Sequence, residues 1–328
     1  MMSFNNHIPT RIFIIISIPI ISIISIPDVG VFADGIQNQL SRDEWSIGVF
    51  TGSTIFNLSQ PPGIKNPIIT PDDVYDIKAS GVADPFFIRD NGIWYMFFEI
   101  IDRTNDKGCI GLSESNDGLH WNYRQIVLDE TFHLSYPYVF KFQNEYYMIP
   151  SSSDAPCLYL YKAEDFPTNW NIADTLLNGS YQDASILQYD DKWWLFTETD
   201  SKNGILHLYY ADDLFGPWEK HPESPVVNGD KDRSRPGGRI LIDNGQLLRF
   251  AQDDYPTYGN AIRVFEIVNL TTESYNEIEL FSQPIFQGSG TGWNSVGMHN
   301  IDIVQADEDY YIACVDGRKR IWIWDPLF

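Results

Sequence analysis

The chain has 328 residues, 43% of them hydrophobic, and a formal net charge of −23 at pH 7. That length and apolar content sustain a full hydrophobic core and exclude a disordered chain. An acidic surface repels phosphate backbones and anionic lipid, which argues against nucleic-acid binding and a polybasic membrane contact but leaves a neutral ligand such as a sugar open.

Residues 1–33 stand apart from the fold. Arg11 is followed by the apolar run Ile12–Ile26, and no charge returns until Asp28. The run has the length of a signal-peptide core, short of the ~20 residues of a comfortable membrane span. Val31-Phe32-Ala33 supplies small residues at the usual cleavage positions. Cleaved signal or retained N-terminal anchor, either reading places the remainder outside the cytoplasm. The sequons at Asn57, Asn178 and Asn269 then become glycan sites only in a glycosylating host. Residues 34–80 form an arm. Its Trp45–Phe50 reads as a short strand, whereas the Pro-rich stretch Gln60–Pro67 cannot sit inside a central strand.

From Gly81 onward one sentence recurs five times: a strand opening on a polar or aromatic residue, a polar turn, and a second strand. The copies begin at Asp84, Tyr136, Asp183, Arg235 and His299. The interval to the second-strand end is the same in three of them, 84 to 99, 136 to 151 and 183 to 198. Third strands follow in register at Ile110, Leu158, Leu206 and Ala261, and the first three lead to Trp121, Trp170 and Trp218. Fourth strands are shorter and more polar, as outer edges are. Such a period means one supersecondary unit stacked around a ring. The expected fold is all-β, a five-bladed β-propeller of four-stranded antiparallel blades over 81–328. The fifth copy is truncated: Arg320–Trp324 is read as its third strand, with the missing edge supplied by the arm around Trp45–Phe50.

In a propeller the innermost strands start at the channel mouth, so equivalent residues converge. The ring is Asp84, Tyr136, Asp183, Arg235 and His299, five different side chains at one structural position, which is how a site looks. Second-strand ends add Glu99, Ser151, Glu198 and Gln252, and Asp302 lies next to His299 in the fifth copy. Each has a plainer reading: Asp84-Pro85 as a turn dipeptide, Glu99 and Glu198 as ion-pair partners of Arg235 or Arg239, His299 as a satisfied core residue. There is no metal motif with ligand spacing, no phosphate loop and no nucleophile elbow. No cofactor is expected, and an ion on the axis stays open. Cys109, Cys157 and Cys314 are too few for a disulfide scaffold and are read as small buried residues.

Trp45-Ser-Ile-Gly, Ala83-Asp-Pro-Phe, His133-Leu-Ser-Tyr-Pro-Tyr-Val, Tyr147-Met-Ile-Pro, Trp193-Trp-Leu-Phe, Gly216-Pro-Trp-Glu-Lys-His-Pro, and Arg235-Pro-Gly-Gly-Arg with Ala251-Gln-Asp occur in that order. Together they resemble the N-terminal domain of plant glucosamine inositolphosphorylceramide transferases, from about Trp45 to the C-terminus. That domain is similar in turn to the five-bladed propellers of family 43 and related glycoside hydrolases. The resemblance implies that Asp84 matches the hydrolases' catalytic base and Asp183 the aspartate that orients and tunes the acid. It departs where those hydrolases carry the acid: Arg235 stands in place of a Glu. Ser151 likewise replaces the Glu of a Met-Ile-Pro-Glu motif in the transferase relatives. Glu198 is then the favoured acid, with Glu99 and His299 behind it. The separate transferase domain of plant members has no counterpart in the sequence.

Two functions fit. One is an exported, inverting glycosidase acting on a terminal sugar such as a pentofuranoside, with Tyr136, Arg235, His299, Glu99, Gln252 and Asp302 around the substrate. The other is a non-catalytic glycan- or glycolipid-binding propeller. In both the partner is a sugar and the protein is expected to be monomeric.

Overall fold

The computed structural model describes residues 41–322. The expected export segment, its cleavage positions and Trp324 lie outside them. Among the described residues no helix is long and apolar enough to cross a membrane.

Five antiparallel sheets form the blades of a propeller. Blade one is Ala79–Asp90, Ile93–Asp102, Lys107–Ser115 and Asn122–Leu128. Blade two is Ser135–Phe142, Glu145–Ser151, Cys157–Asp165 and Asn169–Asn178. Blade three runs Gln182–Tyr189, Lys192–Asp200, Ile205–Ala211 and the short edge pieces Glu219–Lys220 and Val227–Asn228. Blade four has an inner strand in two pieces, Arg235–Pro236 and Leu241–Asp243, then Gln246–Asp253, Ala261–Leu270, and edges at Tyr275–Glu279 and Phe286–Gln287.

The first hairpins of blades one to four share a cause. Each turns through two left-handed residues: Asn91-Gly92, Gln143-Asn144, Asp190-Asp191 and Asn244-Gly245, all with φ between 48° and 86°. That is the type I′ geometry whose twist matches paired strands, and Asn, Asp and Gly tolerate it best. The repeated tryptophans have a shared role too. Their indole N–H groups close the loop before the outer strand, Trp121 onto the carbonyl of Gly118 (3.0 Å), Trp170 onto Pro167 (2.8 Å) and Trp218 onto Leu214 (3.3 Å). Between blades the core is apolar: Phe86, Phe97 and Leu112 of blade one belong to one buried cluster with Val139, Met148 and Leu160 of blade two.

Blade five corrects one expectation. Its order is Ile301–Asp307, Tyr310–Trp322, Ser41–Gly52 and Leu58–Ser59, so the N-terminal strand is the third and not merely the edge. Arg320–Trp322 is the end of the second strand, which runs on without a turn. Charge holds the seam: Asp43 pairs with Arg318 (3.2 Å) and Arg320 (2.9 Å), and Glu44 with Lys319 (2.8 Å). Of the cysteines, Cys109 and Cys314 are buried as expected, but Cys157 is partly exposed, its thiol 3.4 Å from the Asn178 side chain.

Blade four also holds an ion pair whose side chains are 0% and 5% exposed. Arg249 donates to both oxygens of Glu277 at 2.7 Å, under the ring of Phe265. Removing one partner strands the other charge, so Arg249→Met is expected to cost about 3–5 kcal/mol in urea unfolding, against far less for the double change Arg249→Met with Glu277→Leu.

Candidate functional site

The hub is built by one backbone device used three times. Asp84, Tyr136 and Asp183 all have left-handed φ, 52°, 43° and 49°. Each sits in a break of register between the first two strands of its blade, at Ala83/Phe86, Ser135/Tyr138 and Gln182/Ser185. A bulge bends the strand and re-aims a side chain. A non-glycine residue held there is strained, least for Asp and most for a bulky residue such as Tyr136.

On one wall Asp183 is 1% exposed. Its Oδ2 accepts from Arg235 Nε (2.6 Å) and Gln252 Nε2 (2.7 Å), and its backbone N–H donates to Ser151 Oγ (3.0 Å). Glu198 stands opposite Gln182 in the same blade, Oε1 accepting from Ser234 (2.8 Å) and Oε2 at 4.0 Å from Arg235. Burial drives the Glu198 carboxyl up to about 7, against the pull of Arg235 and Ser234 and with the help of Asp183 and Asp254.

On the facing wall Asp84 accepts the Tyr136 N–H on Oδ2 (3.1 Å). Burial raises its pKa well above the usual range; His299 opposes this, and Asp183, Glu99 and Asp316 reinforce it. The His299 Nδ1 lies 2.6 Å from Asp316 Oδ2 and 3.7 Å from Asp84 Oδ1. Its Nε2 is 2.9 Å from Tyr258 Oη, and Trp45 stacks on the ring at 4.1 Å between centroids. Burial works against an imidazolium, yet Asp316 and Asp84 outweigh it and hold His299 up to about 9. Asp84, His299 and Asp316 present ligand-type atoms within 4.8 Å of one another. Two ligands sharing one cation at ~2.1–2.4 Å each stand about 3 Å apart or more, so the 2.6 Å contact fits a direct ion pair instead.

Other expected residues serve the hub differently. Tyr136 is fully buried; its hydroxyl bonds Ser185 (2.9 Å) and both the carbonyl (3.1 Å) and N–H (2.8 Å) of Gly238, tying blades two, three and four together. Asp302 is bound to Arg239 at 2.8 and 3.1 Å and accepts the Phe87 N–H (2.9 Å), so it clamps blades one, four and five, and the carboxylate beside His299 is Asp316. Glu99 pairs with His133 (3.0 Å) rather than with an arginine, and the Gly108 N–H donates to His133 Nδ1 (2.9 Å). Gln252 positions Asp183. Reading the sequence missed Asp316, His133, Ser234 and Tyr258. Asp316 was within reach, because it follows Val315 at the second-strand end that supplies Glu99, Glu198 and Gln252 elsewhere. Tyr258 sits on a loop outside the repeat, where no register points to it.

Among the described residues, the buried oxygens at the hub without a hydrogen-bond partner include Asp84 Oδ1, Asp183 Oδ1, Glu198 Oε2 and Gln252 Oε1. Buried polar atoms of native proteins are nearly all paired, so unpaired ones concentrated in one place mark a ligand or chemistry. The pKa values also bear on stability. His299 and Glu198 both have folded values above their ordinary 6.5 and 4.5. Their contribution is full below those ordinary values and is lost as pH rises through about 7 for Glu198 and about 9 for His299. The melting temperature is therefore expected to be several degrees lower at pH 9 than at pH 5, and His299→Gln should flatten the upper part of that slope.

The fold and site define a five-bladed β-propeller with aspartates and a glutamate buried at its hub. A glycosyl hydrolase from Bacteroides ovatus superposes with a TM-score of 0.61 at 14% identity, covering 81% of this chain and 92% of that one. A β-1,2-mannobiose phosphorylase from Listeria innocua gives 0.60 at 15% identity, covering 76% and 94%. At such identities the likeness is one of fold. The chain itself belongs to the family described as glucosamine inositolphosphorylceramide transferase 1, N-terminal, whose model matches residues 38–318. Proteins named glucosamine inositolphosphorylceramide transferase 1 from Oryza sativa subsp. japonica and Arabidopsis thaliana are 33% and 34% identical, over 92% and 85% of this chain. The match spans 43% and 39% of those relatives' own length.

Proposed function

We propose that the protein is an exported glycoside-cleaving propeller that hydrolyses a terminal sugar with inversion. The observation that carries the reading is the convergence of Asp84, Asp183 and Glu198, each with an unpaired buried oxygen, on one hub. Inverting hydrolysis needs a base that activates water on one face of the sugar and an acid function on the other. Asp84 is the base. Asp183 is held by Arg235 and Gln252, and Glu198 accepts from Ser234 beside Arg235. Unpaired acceptor oxygens suit a donor-rich ligand, and sugar hydroxyls supply such donors. The apolar run at residues 12–26 supports action outside the cytoplasm.

One observation favours a second reading, a binding module for glycan or glycolipid. Arg235 pairs with Asp183 at 2.6 Å, at the position where the resemblance to family 43 hydrolases implies a carboxylic acid. The relatives' names, which refer to an inositolphosphorylceramide, make a glycolipid headgroup the partner on that reading. The test is proton NMR of a panel of α- and β-glycosides with the purified protein. Release of free sugar with the opposite anomeric configuration is the expected result. Saturation-transfer binding to a sugar with no release over days would favour the module.

A further inference from the structure

The hydrolytic reading requires a group that reaches the leaving oxygen with a proton, and this inference rests on that reading. Glu198 is 1% exposed with one oxygen turned to Ser234, and Glu99 is engaged by His133. Tyr258 is different: it is 45% exposed, yet its hydroxyl is anchored 2.9 Å from a buried imidazole. We infer that the Tyr258 hydroxyl is the proton donor of the site, recharged by His299, which acts behind it as a positioning residue.

The geometry forms a chain of carboxylate, imidazole and phenol. Asp316 Oδ1 accepts the backbone N–H groups of His299 (2.9 Å) and Asn300 (3.0 Å), which fixes the carboxylate so that Oδ2 faces His299 Nδ1. An imidazolium there carries hydrogens on both nitrogens. Nε2–H donates to Tyr258 Oη, which leaves the phenol's own hydrogen free to point away from His299. Trp45, stacked on the imidazole with an interplanar angle of 19°, sets the ring plane. Burial and the nearby Asp84, Asp183 and Asp254 push the Tyr258 phenol well above its ordinary value, so it stays protonated until the leaving oxygen takes its hydrogen, and the Arg235 guanidinium, 5.2 Å from the ring centroid, works against them. The loop is held as well: the Gly259 N–H donates to Asp254 Oδ1 (2.7 Å), and a Cβ at Gly259 would come within 2.7 Å of Trp45. The charged groups around this chain are Asp316 and Asp84 on the Nδ1 side, and Arg235, Asp254, Asp183 and Arg318 about Tyr258 and Trp45.

In the step, the C1–O bond of the glycoside breaks and its electron pair stays on the leaving oxygen, which takes the Tyr258 proton. The phenolate takes the Nε2 proton of His299. Water adds to C1 and gives its proton to Asp84. Asp84 then releases that proton to solvent, and solvent at the exposed rim restores, through Tyr258, the proton that His299 lost.

The experiment compares wild type with Tyr258→Phe on matched 2,4-dinitrophenyl and methyl glycosides of arabinofuranose, mannose and glucosamine, with monosaccharide binding followed in parallel. A dinitrophenolate leaves without protonation, whereas methoxide does not. Tyr258→Phe is expected to lower the methyl glycoside rate about 10²- to 10³-fold and the dinitrophenyl rate less than about 5-fold, with binding kept. In wild type only the methyl glycoside rate should fall as pH rises through about 9, and Tyr258→Phe should remove that difference. Equal losses on both substrates, or no loss on either, would overturn the donor role while leaving hydrolysis intact. Wild-type protein that binds a monosaccharide and cleaves neither substrate overturns the hydrolytic reading itself.

Discussion

Asp84→Asn is expected to reduce glycoside turnover by about 10³-fold while leaving the fold and sugar binding nearly unchanged. Asn occupies left-handed φ as readily as Asp, so the bulge at φ 52° persists. Its amide oxygen still accepts the Tyr136 N–H that Asp84 Oδ2 accepts at 3.1 Å. Only the basic oxygen is gone. His299 keeps its 2.6 Å contact with Asp316, so the imidazolium survives the change. The measurements are kcat on an aryl glycoside, a monosaccharide Kd by calorimetry, and a thermal melt. A variant with wild-type turnover would remove Asp84 from the chemistry. A variant with turnover and melt both collapsed would make Asp84 a structural residue of the hub.

Gly238→Ala should be the most damaging single substitution in the core of the ring. Gly238 has φ +152°, and a Cβ there would lie 1.9 Å from the carbonyl oxygen of Ile301 and 3.0 Å from its carbon. These are backbone atoms of the neighbouring inner strand, bridged to Gly238 itself, so no side chain can swing aside. Relief requires blades four and five to part. That would also loosen the Tyr136 hydroxyl, bonded to both the N–H and the carbonyl of Gly238, and the Ser185 hydroxyl on the same carbonyl (2.9 Å). Clash and lost buried hydrogen bonds together are expected to cost more than about 4 kcal/mol, read as urea-induced unfolding or as failure to accumulate soluble protein. Gly245→Ala is the control, since its φ is +84° but nothing lies within 4 Å of the added carbon. It should cost far less. Near-equal losses in the two variants would show that backbone conformation, and not the approach of blade five, sets the requirement at Gly238.

Much of this could be read in the residues. The copies beginning at Asp84, Tyr136, Asp183, Arg235 and His299 spelled out the blades, because a sheet's period of two and the polar residues of its turns are local properties. The same spacing named most of the carboxylates at the hub. It did not say what each one would meet. Tyr136 occupies the same bulge as Asp84 and Asp183, yet it ties blades together instead of facing a ligand, since Gly238 happens to present its backbone there. Asp302 was tied to Arg239, and the partner of His299 proved to be Asp316, one residue beyond the stretch that the repeat delimited.

The amino-acid sequence by itself determined the number of blades, the turns that close their hairpins, and the set of polar side chains delivered to the axis, because each depends on residues near one another in the chain. Only the tertiary structure decided which charge faces which. The pairing of Arg235 with Asp183, the imidazolium at His299 and the reach of Tyr258 depend on contacts between blades far apart in sequence, and on how completely the ring shuts out water around them. An ionisable group takes its charge from that dry surrounding, which no stretch of chain contains until the N-terminal strand has closed the circle.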